Sequence, residues 1–260
     1  MHKDLKVFVI NLVDDTNKRE RIRKILSNFS FDYKFFEACD GRRKKQSFFK
    51  GYNDLKRKLF FGRSLLPKEL GIFESHKNIL QNIIKNNYKY ALIFEDDISI
   101  NYNFEKYLIK ILSIKYEWEL IRFLDNPKLN NKGRKILHLG ENIYLKRYPN
   151  LFGGAHAYLI SLNGAKKILD LTKNYYYPID LVMGQTWKNN LNSLICNPGM
   201  VWQEASFNID PPGSQRFIKK RKNKLSLYPF TRFVFKIYES LSKWTFYIFK
   251  FIPDFFSKNY

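Results

Sequence analysis

Two hydrophobic rhythms alternate along the chain. Residues 5–12, Leu-Lys-Val-Phe-Val-Ile-Asn-Leu, form a nearly continuous apolar run, the pattern of a parallel strand buried on both faces. Asp15 or Thr16 then offers an N-cap. Over residues 17–29, Ile22, Ile25, Leu26 and Phe29 fall at helical spacing, while Arg19, Arg21, Arg23 and Lys24 project elsewhere. A strand running at once into a helix opens an α/β unit. Residues 31–38 read as the next strand, closed by the turn signal Asp40-Gly41.

Residues 42–63 break the rhythm with nine cations against Asp54 and are expected to form a long loop or excursion. Pro67 then opens a helix at a position proline tolerates, with Phe73, His76, Leu80 and Ile83 on one face. Residues 90–94 form a short apolar strand. Strands are expected at 120–124 and 143–145, with a polar loop over 126–135 between them. Gly153 to Ser161 leads into a helix capped by Asn163, with Ala165, Ile168 and Leu169 inward. A turn at 175–180 precedes one more short helix. No repeat of 20 to 50 residues is present, which excludes solenoids and propellers.

Composition narrows the class. Of 260 residues, 45% are hydrophobic and 17% aromatic, enough for a real core. The two cysteines, Cys39 and Cys196, are far apart, so no disulfide framework is encoded and a reducing compartment is expected. A formal charge of +22 must attract something acidic, although AT-rich coding also enriches lysine. The six-residue apolar run 7–12 is too short for a signal core, and no run reaches the roughly 18 residues of a spanning helix. The expectation is a cytoplasmic protein, peripheral on the inner face of the cytoplasmic membrane.

Glu95-Asp96-Asp97, directly after the strand 90–94, carries the strongest chemical signal. Three carboxylates at the carboxyl edge of a buried strand repel one another, and a divalent cation relieves that repulsion. Side chains alternate along an extended backbone, so Glu95 and Asp97 should point one way and Asp96 the other. A solvated acidic turn is the plain alternative. His76 sits on an apolar helix face, where a core role competes with ligand contact. Gly153-Gly154-Ala155-His156 removes side chains beside another imidazole, allowing either close ligand approach or a bulge. Asp180, starting a helix after Pro178, has an N-cap as its ordinary role.

In order along the chain come Asn11-Leu12, Arg19 and Arg21, Ala38-x-Asp40-Gly41, Glu69-Leu70-Gly71 with Ser75-His76, Glu95-Asp96-Asp97, Ala157 to Ser161 with Gly164-Ala165, and Pro178-Ile179-Asp180. Over residues 5–206 this set resembles glycosyltransferase family 25, the lipooligosaccharide β-galactosyltransferase type that also includes collagen galactosyltransferases. The resemblance implies an α/β GT-A-type nucleotide-sugar fold and an inverting transfer assisted by Mn²⁺ (or Mg²⁺). It further implies a UDP-sugar donor, UDP-galactose first, and a glycan or lipid-linked oligosaccharide acceptor. Carried over residue by residue, Asp97 is the first metal ligand, with Asp96 and His156 beside it. Asn11, Arg19, Asp40, Gly41, Ser75, His76, Glu95, Asp96 and Gln203 fall to the donor nucleotide. Asp180 is the catalytic base, with Asp96, Glu204 and Asp210 as competing carboxylates. The family's closing serine has two candidates, Ser206 and Ser214.

A catalytic domain over 1–215 and a basic C-terminal extension over 216–260 are expected. The extension carries eleven Lys and Arg against Glu239 and Asp254, a charge of +9. Phe233, Ile237, Leu241, Trp244, Ile248 and Phe251 recur at helical steps, and Lys236, Lys243 and Lys250 recur every seven on another strip. That pattern suits an interfacial helix on anionic membrane. A helix packed on the domain or in a dimer seam competes with it. Two non-enzymatic readings remain, a basic nucleic-acid-binding module and a membrane-surface protein without turnover. The acidic triplet argues against the first, since carboxylates repel a phosphate polyanion.

Overall fold

Strand β1 (Leu5–Asn11) pairs in parallel with β2 (Tyr33–Glu37) on one side and β3 (Tyr90–Glu95) on the other in a computed structural model describing residues 3–124, 133–149, 152–188, 190–204 and 228–256. The crossover into β2 runs through α1 (Thr16–Leu26), started by the Asp15 carboxylate accepting from Lys18 N–H. The crossover into β3 contains α2 (Asp54–Phe61) and α3 (Pro67–Lys85). Antiparallel β8 (Ala157–Ser161) then joins β3 to β5 (Leu120–Arg122). With β9 (Ser193–Asn197), β7 (Ile143–Arg147) and β6 (Arg134–Gly140), the order among the described residues is β2-β1-β3-β8-β5-β9-β7-β6. A separate ribbon pairs β4 (Ile98–Ile100) with β10 (Val201–Gln203).

The period-2 alternation of the central strands divides the core in two. Val7, Val9, Leu92, Phe94 and Leu159 face Ile22 and Leu26 of α1 and Phe104 and Ile111 of α4 (Phe104–Ser113). Phe8, Ile10, Ala91, Ile93 and Tyr158 face Phe73, Leu80 and Ile83 of α3 and Ala165 and Ile168 of α5 (Leu162–Leu171). This is the expected mixed α/β sheet flanked by helices.

Local departures have local causes. The basic stretch 42–63 is not all loop. Asn53 accepts from Lys56 N–H to start α2, and Gly62 ends it in the left-handed region at φ +72. Helix α4 was not expected, although Phe104, Tyr107, Leu108 and Ile111 have its spacing. Helix α5 is capped by Ser161, whose Oγ accepts from Gly164 N–H at 3.1 Å, so Asn163 lies in the first turn instead. Arg134 and Lys135, expected in a loop, open β6, and the 126–132 part of that loop lies outside the described residues.

The expected boundary at 215/216, the competing Ser206, Asp210 and Ser214, and the cations from Arg216 to Lys224 with Lys258 also lie outside the described residues. Beyond them come α7 (Tyr228–Phe249) and α8 (Phe251–Phe256). Phe235 of α7 stacks on Phe60 of α2, ring centroids 4.4 Å apart, and meets Tyr176 and Tyr177 edge-on or tilted. On α8, Asp254 is fully buried. It accepts from Arg147 Nε at 2.7 Å, Arg147 Nη2 at 2.8 Å and Arg134 Nη1 at 2.8 Å. One side of the tail therefore packs on the domain through aromatic rings and a buried ion cluster.

Candidate functional site

Parallel pairing brings the carboxyl ends of β1, β2 and β3 to one edge, where ligands of α/β sheets bind. The acidic motif sits there. The Glu95 N–H donates to His156 O at 2.8 Å, which sets the Gly153–His156 segment directly beside it. The β4–β10 ribbon closes the far side, with Gln203 in register with Ile98 and Glu204 N–H donating to Asp97 O at 2.9 Å.

The three acids divide as alternation requires. Gln203 Nε2 donates to Glu95 Oε2 at 3.2 Å and approaches both Asp97 oxygens at 3.4 Å, so these two carboxylates share one donor. Asp96 turns the other way, accepting from Asn11 Nδ2 at 2.8 Å and pairing with Lys18 Nζ at 3.4 Å. Burial, then the charges of Glu95 and Asp96, push Asp97 up to about 6. Burial also raises Asp96, against the pull of Lys18 and Asn11. Burial acts on Glu95 in the same direction, but the hydrogen bond and charge of His76 outweigh it and leave that carboxyl below its ordinary value. Burial disfavours the Lys18 ammonium, yet Asp96 and Asp15 hold its pKa above the usual lysine range.

These electrostatics bear on the expected metal. Two oxygen donors, one of them protonated more readily than usual, form a partial site for a hard divalent ion that needs further oxygen ligands. The expected trio of Asp97, Asp96 and His156 is not a ready cage. Asp96 is occupied by Asn11 and Lys18, and the His156 Nε2 lies 3.2 Å from Val201 O. Among the described residues no three His, Cys, Asp or Glu side chains are grouped to hold a metal unaided.

Past the carboxyl ends of β1 and β2 opens a cleft of about 990 Å³, walled by Leu12, Asp15, Phe36, Asp40, Arg42 and Phe48 among others. Asp40 lies in that wall, gripped by Arg42 Nε at 2.8 Å and Arg43 Nε at 3.2 Å, and the Arg42 hydrogen bond holds its carboxyl below the ordinary value. Gly41 and Ser75, expected at the nucleotide, build the joint between the β2 loop and α3. A Cβ on Gly41 would fall 1.9 Å from Pro67 O and 2.7 Å from Gly71 N, so only hydrogen fits. Ser75 Oγ accepts from Cys39 N–H and donates to Gly71 O, both at 2.8 Å. Arg19 lies over the Phe35 ring, 4.3 Å from its centroid, rather than in the cleft wall. His76 is buried between Tyr158 OH at 3.0 Å and Glu95 Oε1 at 3.3 Å, so it orients the acid from behind.

Asp180 lies in the first turn of α6 (Ile179–Met183). Its Oδ2 accepts from Gly154 N–H at 3.0 Å and its Oδ1 from Leu181 N–H at 2.8 Å. A Cβ on Gly153 would sit 2.8 Å from Oδ2, and Gly154 takes φ +103, so the paired glycines let this carboxylate reach the segment that borders Glu95. Glu204, the competing acid, is held by Ser99 Oγ and lies 3.4 Å from Arg21. Two functional neighbours escaped the sequence reading. Lys18 stands one turn after the Asp15 cap, a spacing that signals a cation at the strand edge. Arg122, buried at the end of β5, donates to Phe152 O at 2.8 Å, and burial lowers its pKa to about 10.

Fold and edge together define a mixed α/β protein with an acidic motif at the carboxyl edge of its sheet. The profile of glycosyltransferase family 25 (LPS biosynthesis protein) matches residues 4–183, and the chain belongs to that family. It is similar to procollagen galactosyltransferase 1-A of Xenopus laevis, 32% identical over 186 residues, covering 64% of this chain and 28% of that protein. Procollagen galactosyltransferase 2 of Homo sapiens is 28% identical over 184 residues, 63% of this chain and 27% of that one. The probable inactive glycosyltransferase 25 family member 3 of Rattus norvegicus is 29% identical, covering 63% and 29%. The chain thus spans under a third of the length of these relatives. Among solved structures, a glycosyltransferase involved in glycosylation of the major capsid of PBCV-1 superposes with a TM-score of 0.39 at 10% identity, covering 74% of this chain and 80% of that one.

Proposed function

We propose that the chain is an inverting glycosyltransferase that moves a hexose from a UDP-sugar, UDP-galactose first, to a hydroxyl of a glycan or lipid-linked oligosaccharide. The observation that carries this reading is the convergence of the Glu95 and Asp97 carboxylates on Gln203 at the carboxyl edge of β3. The family membership supports it.

Asp97 and Glu95 are the residues that would hold Mn²⁺ or Mg²⁺. Bound there, such an ion would supply positive charge against that building on the departing UDP. Asn11 and Lys18 fix Asp96 and add a cation at the same edge. The cleft offers Phe36 and Phe48 as apolar walls, Asp40 for ribose hydroxyls, and Arg42 and Arg43 for phosphate oxygens. In the transfer, the bond from the anomeric carbon to UDP breaks as the acceptor oxygen bonds to that carbon from the opposite face. The acceptor proton passes to Asp180, whose oxygens each keep a lone pair beyond their backbone bonds.

Thermal shift with UDP-galactose, UDP-glucose and UDP-N-acetylglucosamine, with and without Mn²⁺, tests the reading. A donor should raise Tm only with the ion, and Asp97→Asn should abolish the rise without lowering the Tm of the free protein. Equal donor binding in chelator refutes the metal requirement. A second reading, donor binding without turnover, is favoured by the 29% identity to the rat relative named probable inactive. Product formation from UDP-galactose and a lipooligosaccharide core separates the two.

A further inference from the structure

The two C-terminal helices have opposite faces of opposite character. Inward, Phe235 stacks on Phe60, Thr231 Oγ1 donates to Leu59 O at 2.6 Å, and Asp254 is buried between Arg134 and Arg147. Outward, Phe233, Ile237, Leu241, Trp244, Ile248 and Phe251 stand 46–65% exposed. A contiguous apolar face of this kind on a soluble domain marks a docking surface. The charges decide what it docks against. Both acids of residues 216–260 turn inward, Asp254 into its ion cluster and Glu239 to accept from Tyr177 OH. Lys236 stands exposed beside the apolar arc and Lys243 lies half-buried along it, while Lys250 turns inward toward Arg147 and Asp254.

We propose that the outer face of α7 and α8 binds an anionic lipid bilayer, the helices lying in the headgroup plane with aromatic residues dipping toward the acyl chains. No helix of the described residues is long and apolar enough to cross a membrane, which fits a surface attachment. A second copy of the chain is a poorer occupant, because Lys236 and Lys243 would face their own image. Since Phe235 and Asp254 clamp the helices to the domain, the bilayer holds the cleft in a fixed orientation, which suits a lipid-anchored acceptor. The inference stands apart from the transfer reaction, because vesicle binding is read without donor or acceptor.

The test is cosedimentation of the full chain with vesicles of phosphatidylcholine and phosphatidylglycerol, against phosphatidylcholine alone, at low and high salt. Binding should require the anionic lipid and weaken with salt. Leu241→Ser with Ile248→Ser, both 65% exposed, should lower affinity about tenfold or more with unchanged Tm. Lys236→Gln with Lys243→Gln should lower it roughly 10- to 100-fold. Three results overturn the proposal. One is indifference of the intact chain to anionic vesicles at low salt. Another is wild-type binding by the folded serine variant. The third is a dimer in solution that the serine variant converts to monomer while vesicle binding persists.

Discussion

Asp254→Ala probes the joint between tail and domain most directly. The carboxylate is fully buried and receives three charge-assisted hydrogen bonds of 2.7–2.8 Å, from Arg147 Nε and Nη2 and Arg134 Nη1. The side chains of Arg147 and Arg134 are 4% and 13% exposed, so truncation leaves two guanidiniums facing each other with little solvent. Breaking a buried ion cluster from one side costs about 3–5 kcal/mol, dominated by the charges left behind. That cost has a ceiling. If the free energy of docking α7 and α8 is smaller than the penalty, the helices will detach and let water reach Arg134 and Arg147. The loss then equals the docking energy rather than the full penalty. Hydrogen exchange distinguishes the cases. Detachment removes protection from residues 228–256 while β7 and β9 stay protected, whereas a held tail lowers the global Tm by roughly 6 °C or more. Unchanged Tm together with unchanged protection of α7 and α8 would refute the role given to this cluster.

Gly71→Ala should destabilise by about 1–3 kcal/mol, because its Cβ would meet Gly41 N at 2.5 Å and Cys39 O at 2.6 Å, backbone atoms that cannot rotate away. A urea midpoint equal to wild type contradicts that joint. Asp97 has a native pKa of about 6 against an ordinary 3.8. The metal-free native state therefore holds more protons than the unfolded chain across that window, and the Asp97 contribution is full below about pH 4 and lost as pH rises through about 6. Asp97→Asn should flatten that part of the Tm-against-pH curve, and parallel curves count against the shift. Asp180→Asn should cut transfer by a factor of about 100 or more with UDP affinity intact. Full rate moves the base elsewhere, and lost UDP binding marks Asp180 as structural.

Much of the architecture follows from local pattern. The apolar runs of β1 and β3 and the 3.6-residue stripes of α1 and α3 are set by neighbours in sequence, because burial on one or both faces imposes its own period. The same alternation separates Asp96 from Glu95 and Asp97, since an extended backbone must send successive side chains to opposite sides. The outward arc of α7 is equally local, five residues from Phe233 to Ile248 that one helix places together.

What tertiary structure alone decides are the pairings across long separations. Helix α2 was hidden because its stretch reads as a cationic loop, and its apolar residues Phe60 and Phe61 gain meaning only against Tyr176, Tyr177 and Phe235. Gly41 and Ser75 sit at plausible ligand positions in sequence, yet packing of one loop on α3 turns both into a joint. Gln203 reaches Asp97 because β10 pairs with β4, and three-residue strands leave almost no periodic signal. Asp254 looks like a stray acid in a basic tail. Only the folded chain brings it to Arg134 and Arg147, more than a hundred residues away, where burial makes one carboxylate essential to two guanidiniums.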